Sequence, residues 1–215
     1  MSTGQLPVVQ YVDPHHTRNA VEAAVFGRAA TDIDYGELAG FPIANATVTV
    51  TFDAHLASKG VNGTTYPFAV DVRSPGYYSV VIYYAKPSVY LHSVHVDPQQ
   101  RQNRLGRQIF SRQAQKAASV GFTSIEAWAT RNDNPHPQFF SIGYYALPRW
   151  GFDIPVSQRM RALPAFPAGL QGAAMLSDLM VSVPGATFWR THGFPVTVFF
   201  DLTPGSPAWN LLNQP

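Results

Sequence analysis

The sequence predicts an α/β (α+β) domain built on a mixed, mostly antiparallel sheet with helices on both faces. Three observations lead there. Early segments alternate apolar and polar residues with a period of two. One segment with helical spacing then separates two strands, and a proline-rich stretch follows, with prolines at 135, 137, 148, 155, 164, 167, 184 and 195. Meandering strands followed by one helical crossover argue for a mixed sheet.

The elements follow in order. Asp13-Pro14 opens a first helix, because Asp13 can cap and proline suits a first turn. Val21, Ala24 and Val25 give that helix its apolar stripe. Val48, Val50 and Phe52 alternate with Thr47, Thr49 and Thr51, and Phe68, Val70 and Val72 repeat the pattern. Asn62-Gly63 and Ser74-Pro75-Gly76 are turn signals around them. Residues 76–85 are rich in Tyr, Val and Ile, and Val89 to Val96 follows as a fourth strand. Leu105, Ile109, Phe110, Ala114, Ala117 and Ala118 recur at helical spacing, with Gly121 as the C-terminal cap. Thr123 to Ala129 is the next strand, with Ile125, Ala127 and Ala129 on one face. Later, helices are expected near Leu170–Met180 and Ala186–His192, and a strand over Val196–Leu202. The whole reads as one domain, residues 1–215, in which 153–215 is a C-terminal extension or insertion ending in a helix and strand.

Composition narrows the function. With 46% apolar and 13% charged residues, the 215-residue chain can bury a sizeable core. No apolar run approaches the ~20 residues that span a bilayer, so no membrane partner is expected. The absence of cysteine excludes disulfides, thiolate metal sites and a cysteine nucleophile. Together with the lack of a signal-peptide pattern in Met1–Gln10, it points to the cytoplasm. No His/Asp/Glu cluster has metal-ligating spacing, and no Gly-Lys-Ser/Thr phosphate loop is present. A net charge of +2 argues against nucleic acid as the partner. Yet no acidic residue lies between Asp97 and Glu126, where Arg101, Arg104, Arg107, Arg112 and Lys116 all fall. That local excess suggests a local anion.

The residues from Val94 to Arg107 carry the chemistry. A strand ends, a polar turn (Asp97 to Asn103) follows, and a helix begins. The first helical turn offers backbone N–H groups and the positive end of the helix dipole, the natural ligands of a phosphate. Gly106 allows close approach to the backbone, and the arginines add charge-assisted hydrogen bonds. The plainer alternative is a solvated basic helix after a strand.

The stretch resembles motif A of the GNAT acetyltransferase superfamily, a strand followed by Arg/Gln-x-x-Gly-x-Gly/Ala and a helix. Arg101, Arg104 and Gly106 occupy the Arg/Gln, first Gly and second Gly positions. The likeness covers about residues 76 to 152. It implies a GNAT-like fold, acetyl-CoA or another acyl-CoA as cofactor, and acyl transfer to an amine acceptor. It also implies that Arg101, Gln102, Asn103, Arg104, Leu105, Gly106 and Arg107 hold the pyrophosphate. The main chains of Val94 and Val96 would hold the pantetheine arm and polarise the acyl carbonyl, and Asn132 or Asn134 would cap the region that follows. One departure stands out. Arg104 replaces the first motif glycine, so its side chain either points outward or grips a phosphate.

Catalysis needs a base for the amine and an acid for the leaving thiolate. His92 titrates near neutrality and Glu126 lies on the strand after the helix; either could serve as base, and so could water. His95 falls on the face opposite His92 unless a bulge intervenes. The resemblance puts the acid on a tyrosine after that strand, which makes Tyr144 and Tyr145 candidates within Ser141 to Phe152. Core packing is the alternative role for both. A second segment, Phe188-Trp189-Arg190-Thr191-His192-Gly193-Phe194, matches the family's Phe-Tyr-x-x-x-Gly-Phe spacing better, but places Trp189 where the acid belongs. Two functions stay open: an acyl-CoA-dependent N-acyltransferase, and a non-catalytic GNAT-like binding or structural module with a degraded cofactor site. Residues 155–184 could line the acceptor pocket or make a homodimer contact.

Overall fold

A computed structural model describes residues 8–43, 45–52, 68–75, 77–83, 88–97, 99, 104–131 and 143–213. The turn expected at Asn62-Gly63 lies outside them, as do Arg101, Gln102, Asn103, Asn132 and Asn134. The chain divides into two compact units after Ile125.

In the first unit five strands join in chain order: β1 (Val8–Val12), β2 (Thr47–Phe52), β3 (Phe68–Ser74), β4 (Tyr77–Tyr83) and β5 (Ser88–Val96). The β1–β2 pair is parallel and the other three are antiparallel, which gives the expected mixed, mostly antiparallel sheet. Two elements go beyond the sequence reading, β1 and the short helix α2 (Asp32–Leu38). The first predicted helix is α1 (Arg18–Phe26), which starts later than expected: Thr17, not Asp13, is its N-cap and Pro14 lies in the turn before it, although the Asp13 carboxylate accepts from the N–H of Thr17 at 2.8 Å and of Arg18 at 3.1 Å. The crossover helix is α3 (Leu105–Ser119). It ends as expected at Gly121, whose φ of +92° is left-handed. There the N–H of Phe122 reaches the carbonyl of Ala117 and that of Gly121 the carbonyl of Ala118.

The two-residue period explains the core. Val48, Val50, Phe52, Phe68, Val70, Val72, Val81 and Tyr83 are all buried on one sheet face. Against them pack Val21 and Val25 of α1, Tyr35 and Leu38 of α2, and Ile109, Phe110, Ala114 and Ala117 of α3. Polar atoms that go inside find partners. Tyr83 Oη donates to the Leu38 carbonyl at 3.0 Å, and Gln113 Nε2 donates to the Ala39 carbonyl at 3.2 Å.

The second unit takes in most of β6 (Ser124–Ala129), which continues from the first. The expected face is buried: Ile125, Ala127 and Ala129. It goes on with α4 (Gly143–Arg149), α5 (Gln158–Arg161), a 3-10 turn (Ala168–Leu170), α6 (Leu176–Met180), α7 (Val183–His192), β7 (Val196–Asp201) and α8 (Pro207–Leu212). Strand β7 lies beside β6. Phe152, Leu176, Leu179, Trp189, Val198 and Phe200 form its core. No described helix is long and apolar enough to cross a membrane.

Candidate active site

Strand β5 leads directly into the turn that α3 follows. Its pairing with β4 passes from Val80↔Ser93 to Val81↔Leu91, so His92 is the extra residue of a β-bulge. The bulge shifts the pleat. Val94 and Val96 come opposite Ser79 and Tyr77, on the same face as Leu91 and Val89. His95, expected opposite His92 in an unbulged strand, lies with Tyr90 and Ser93 on the other face, and its Nε2 stands 3.2 Å from Asp97 Oδ1. The His92 side chain is exposed, with its ring 6.1 Å from that of Tyr90.

Helix α3 begins without a side-chain cap and with no acidic residue in its first turn. Its N-cap is Arg104, at φ +56° and ψ +21°. That is the left-handed region, which costs an L residue roughly 1–2 kcal/mol and costs glycine nothing. Arg104, at the position where the resemblance expects glycine, adopts this conformation. The first intrahelical bond runs from the N–H of Gln108 to the carbonyl of Arg104. The amides of Leu105 and Gly106 therefore lie ahead of the helical ladder. Amides at a positive helix end, with no acidic residue in the first turn, form a donor set that suits a pyrophosphate.

The opposite arrangement holds farther along α3. Lys116 Nζ donates to Asp34 Oδ1 at 3.0 Å and to Glu37 Oε2 at 2.5 Å, and Arg112 donates to the Pro42 carbonyl at 3.0 Å. These two members of the basic run are tied to α2 and the loop after it. The local positive excess is therefore concentrated at the start of the helix.

In the second unit the two echoing segments, raised as competitors for one role, pack against each other. Trp189 Nε1 donates to the Tyr144 carbonyl at 2.6 Å, and Tyr144 Oη donates to the Arg190 carbonyl at 2.7 Å. Gly193 makes this fit: a Cβ there would stand 2.7 Å from the Tyr144 ring and 2.4 Å from the Trp189 carbonyl. Arg131 lies over the Tyr144 ring at 5.0 Å and donates to the carbonyls of Thr191 and Gly193. Trp189 is 1% exposed. Tyr144 and Trp189 thus both have core positions with satisfied polar atoms. Tyr145 differs: it is half-buried, with the guanidiniums of Arg149 and Arg190 at 5.6 and 5.7 Å from its ring centroid. The sequence reading passed over both arginines; the four-residue spacing of Tyr145 and Arg149 was the available signal. Glu126 is half-buried on β6.

Residues 68–144 match the family described as Acetyltransferase (GNAT) family. Over that stretch the chain is similar to the GNAT superfamily. No curated protein and no solved structure matches it. The GNAT match takes in β3 to β6, the uncapped start of α3 and the first of the two tyrosines, and it ends before Phe188–Phe194.

Proposed function

We propose that this protein is an N-acyltransferase that moves an acyl group, acetyl in the simplest case, from an acyl-CoA to an amine. The observation that carries the reading is the start of α3: an uncapped helix end directly after β5, basic, with Arg104 in the conformation of the motif glycine. Its donor chemistry suits the anionic end of coenzyme A. In this reading the amides of Leu105, Gly106 and Arg107, with Arg101, Gln102, Asn103 and Arg104, bind the pyrophosphate. When bound, the cofactor supplies a thioester, an acyl group with a good leaving group. The main chains of Val94 and Val96 hold the pantetheine arm and polarise the carbonyl. His92, exposed at its bulge, takes the proton of the amine, with Glu126 as the other candidate. Tyr145 protonates the leaving sulfur; Tyr144 is the weaker candidate because its hydroxyl already donates to Arg190. Asn132 or Asn134 would cap the region that follows β6.

The second reading is a module that keeps the fold and has lost the cofactor. The side chain of Arg104 at a glycine position favours it. Calorimetry with acetyl-CoA separates the two. The enzyme reading expects micromolar-range binding that weakens at least tenfold when Arg101 and Arg107 become Ala, about 1.4 kcal/mol. No binding at millimolar acetyl-CoA would sink it. Where binding holds, Tyr145→Phe should slow turnover by 10²-fold or so and leave affinity alone; an unchanged rate removes Tyr145 from the mechanism.

A further inference from the structure

We propose that Arg149 and Arg190 form the seat for an anionic group carried by the acyl acceptor, so that the preferred acceptors are amines that also bear a carboxylate. This rests on the reading of Tyr145 as the acid at the acyl end of the site. Three arginines surround the tyrosine pair, and their circumstances differ. Arg131 is engaged with two main-chain carbonyls. Arg149 and Arg190 make no side-chain hydrogen bond and no ion pair among the described residues, yet both guanidiniums converge on the ring of Tyr145. They come from the last turns of two different helices, α4 and α7. The reciprocal bonds between Tyr144 and the Trp189–Arg190 turn fix those helices to each other, so the two exposed arginines project from backbones that the core holds in place.

Two like charges brought to one ring repel, and an anion between them would offset that repulsion. The described carboxylates of this unit do not supply it. Asp153 accepts from Ile154 and Ser177, Asp178 from Ala174 and Met175, and Asp201 from Thr203. Glu126 forms no ion pair with either arginine. Among the described residues no carboxylate serves them, so an outside anion would complete the pair. Forked guanidiniums suit planar carboxylate oxygens. The phosphates of coenzyme A are the other source of anionic oxygens, but they sit at the opposite end of that molecule from its sulfur. An anion beside the group that protonates the sulfur therefore belongs to the acceptor.

The test is calorimetric titration of the full chain with N-acetylglycine, which stands for an acetylated acceptor with a carboxylate, with N-methylacetamide, its neutral counterpart, and separately with acetyl-CoA. N-acetylglycine should bind and N-methylacetamide should not. Arg149→Gln and Arg190→Gln should each weaken N-acetylglycine by roughly tenfold, in line with the loss of a charge-assisted bond, and Arg190→Lys should weaken it less. Acetyl-CoA affinity should stay unchanged in all three variants, and their unfolding midpoints should match the wild type. Equal binding of the two amides, no binding of N-acetylglycine, or indifference of its binding to both substitutions would overturn the proposal. So would a loss confined to acetyl-CoA, which would assign the arginines to the cofactor. Arginine-dependent N-acetylglycine binding in a chain that takes no acetyl-CoA would keep the anion seat and reject the acyltransferase reading.

Discussion

Helices α2 and α3 begin in opposite ways within one unit. At α2 the chain provides its own anion. Thr31 and Asp34 form a capping box, in which Asp34 N–H donates to Thr31 Oγ1 and Asp34 Oδ2 accepts from the N–H of Thr31 at 2.9 Å. Arg28 grips the same carboxylate with two 2.8 Å bonds, and Lys116 adds a third cation contact. Every lone pair of Asp34 is directed at a donor, and the side chain is buried. At α3 the N-cap Arg104 makes no side-chain cap bond, and the first turn holds no acidic residue. A helix end completed from within holds a fold together. One without its own side-chain cap is the end that the proposed coenzyme A would complete.

The largest expected effect tests the completed end. Asp34→Ala removes the partner of Arg28, Lys116 and the Thr31 amide together, and should cost about 3 kcal/mol in urea unfolding. A loss below 1 kcal/mol would mean that the network is decoration. Its pH dependence gives the same answer by another route. Burial alone would raise the Asp34 pKa; hydrogen bonds from Arg28, Thr31 and Lys116 outweigh it and hold the carboxyl well below its ordinary value. A depressed folded pKa stabilises above the unfolded value, near 4, and that stability drains as pH falls below it. Melting temperature should therefore drop between about pH 4 and pH 2, and Asp34→Asn should flatten that part of the curve.

The next effect tests the open end. Arg107→Glu supplies α3 with the acid it lacks in its first turn. Coenzyme A affinity should fall more than tenfold, about 2 kcal/mol, while the unfolding midpoint stays within about 0.5 kcal/mol of the wild type. Equal affinity in calorimetry would move the cofactor away from this helix.

What the sequence disclosed follows from how local the signal was. Strands β2 and β3 and helix α3 read out directly, because alternation and a helical stripe are written in consecutive residues. Strand β1 did not: Val8-Val9-Gln10-Tyr11-Val12 lacks clean alternation, and its parallel partner β2 lies far along the chain. Helix α2 is seven residues long with Gly36 inside, although its Thr31-x-x-Asp34 signature was there to be read. The bulge at His92 is a matter of pairing, which no single strand records. In the second unit, Arg149 and Arg190 reach one ring only because the Tyr144 and Trp189 segments pack together. Two similar segments looked like rivals for one position, and the fold uses both.

The smallest effect concerns the residue that looked most out of place. Arg104 holds φ at +56°, where an L residue is strained by roughly 1–2 kcal/mol. Glycine would remove that strain but would lose about 0.5–1 kcal/mol through the freedom of the unfolded chain. Arg104→Gly should therefore stabilise the fold slightly, by about 0.5 kcal/mol. Arg104→Val should cost more than 1 kcal/mol, because a β-branched side chain fits this conformation poorly. The pair of urea curves tests the backbone, and coenzyme A titration of the glycine variant tests the side chain. Affinity within about threefold of the wild type, under 1 kcal/mol, would mean that the turn serves through its shape and that the arginine lies outside the contact. A larger loss would mean that the guanidinium grips the anion, and that this chain accepts backbone strain at α3 to keep a positive charge at the motif's glycine position.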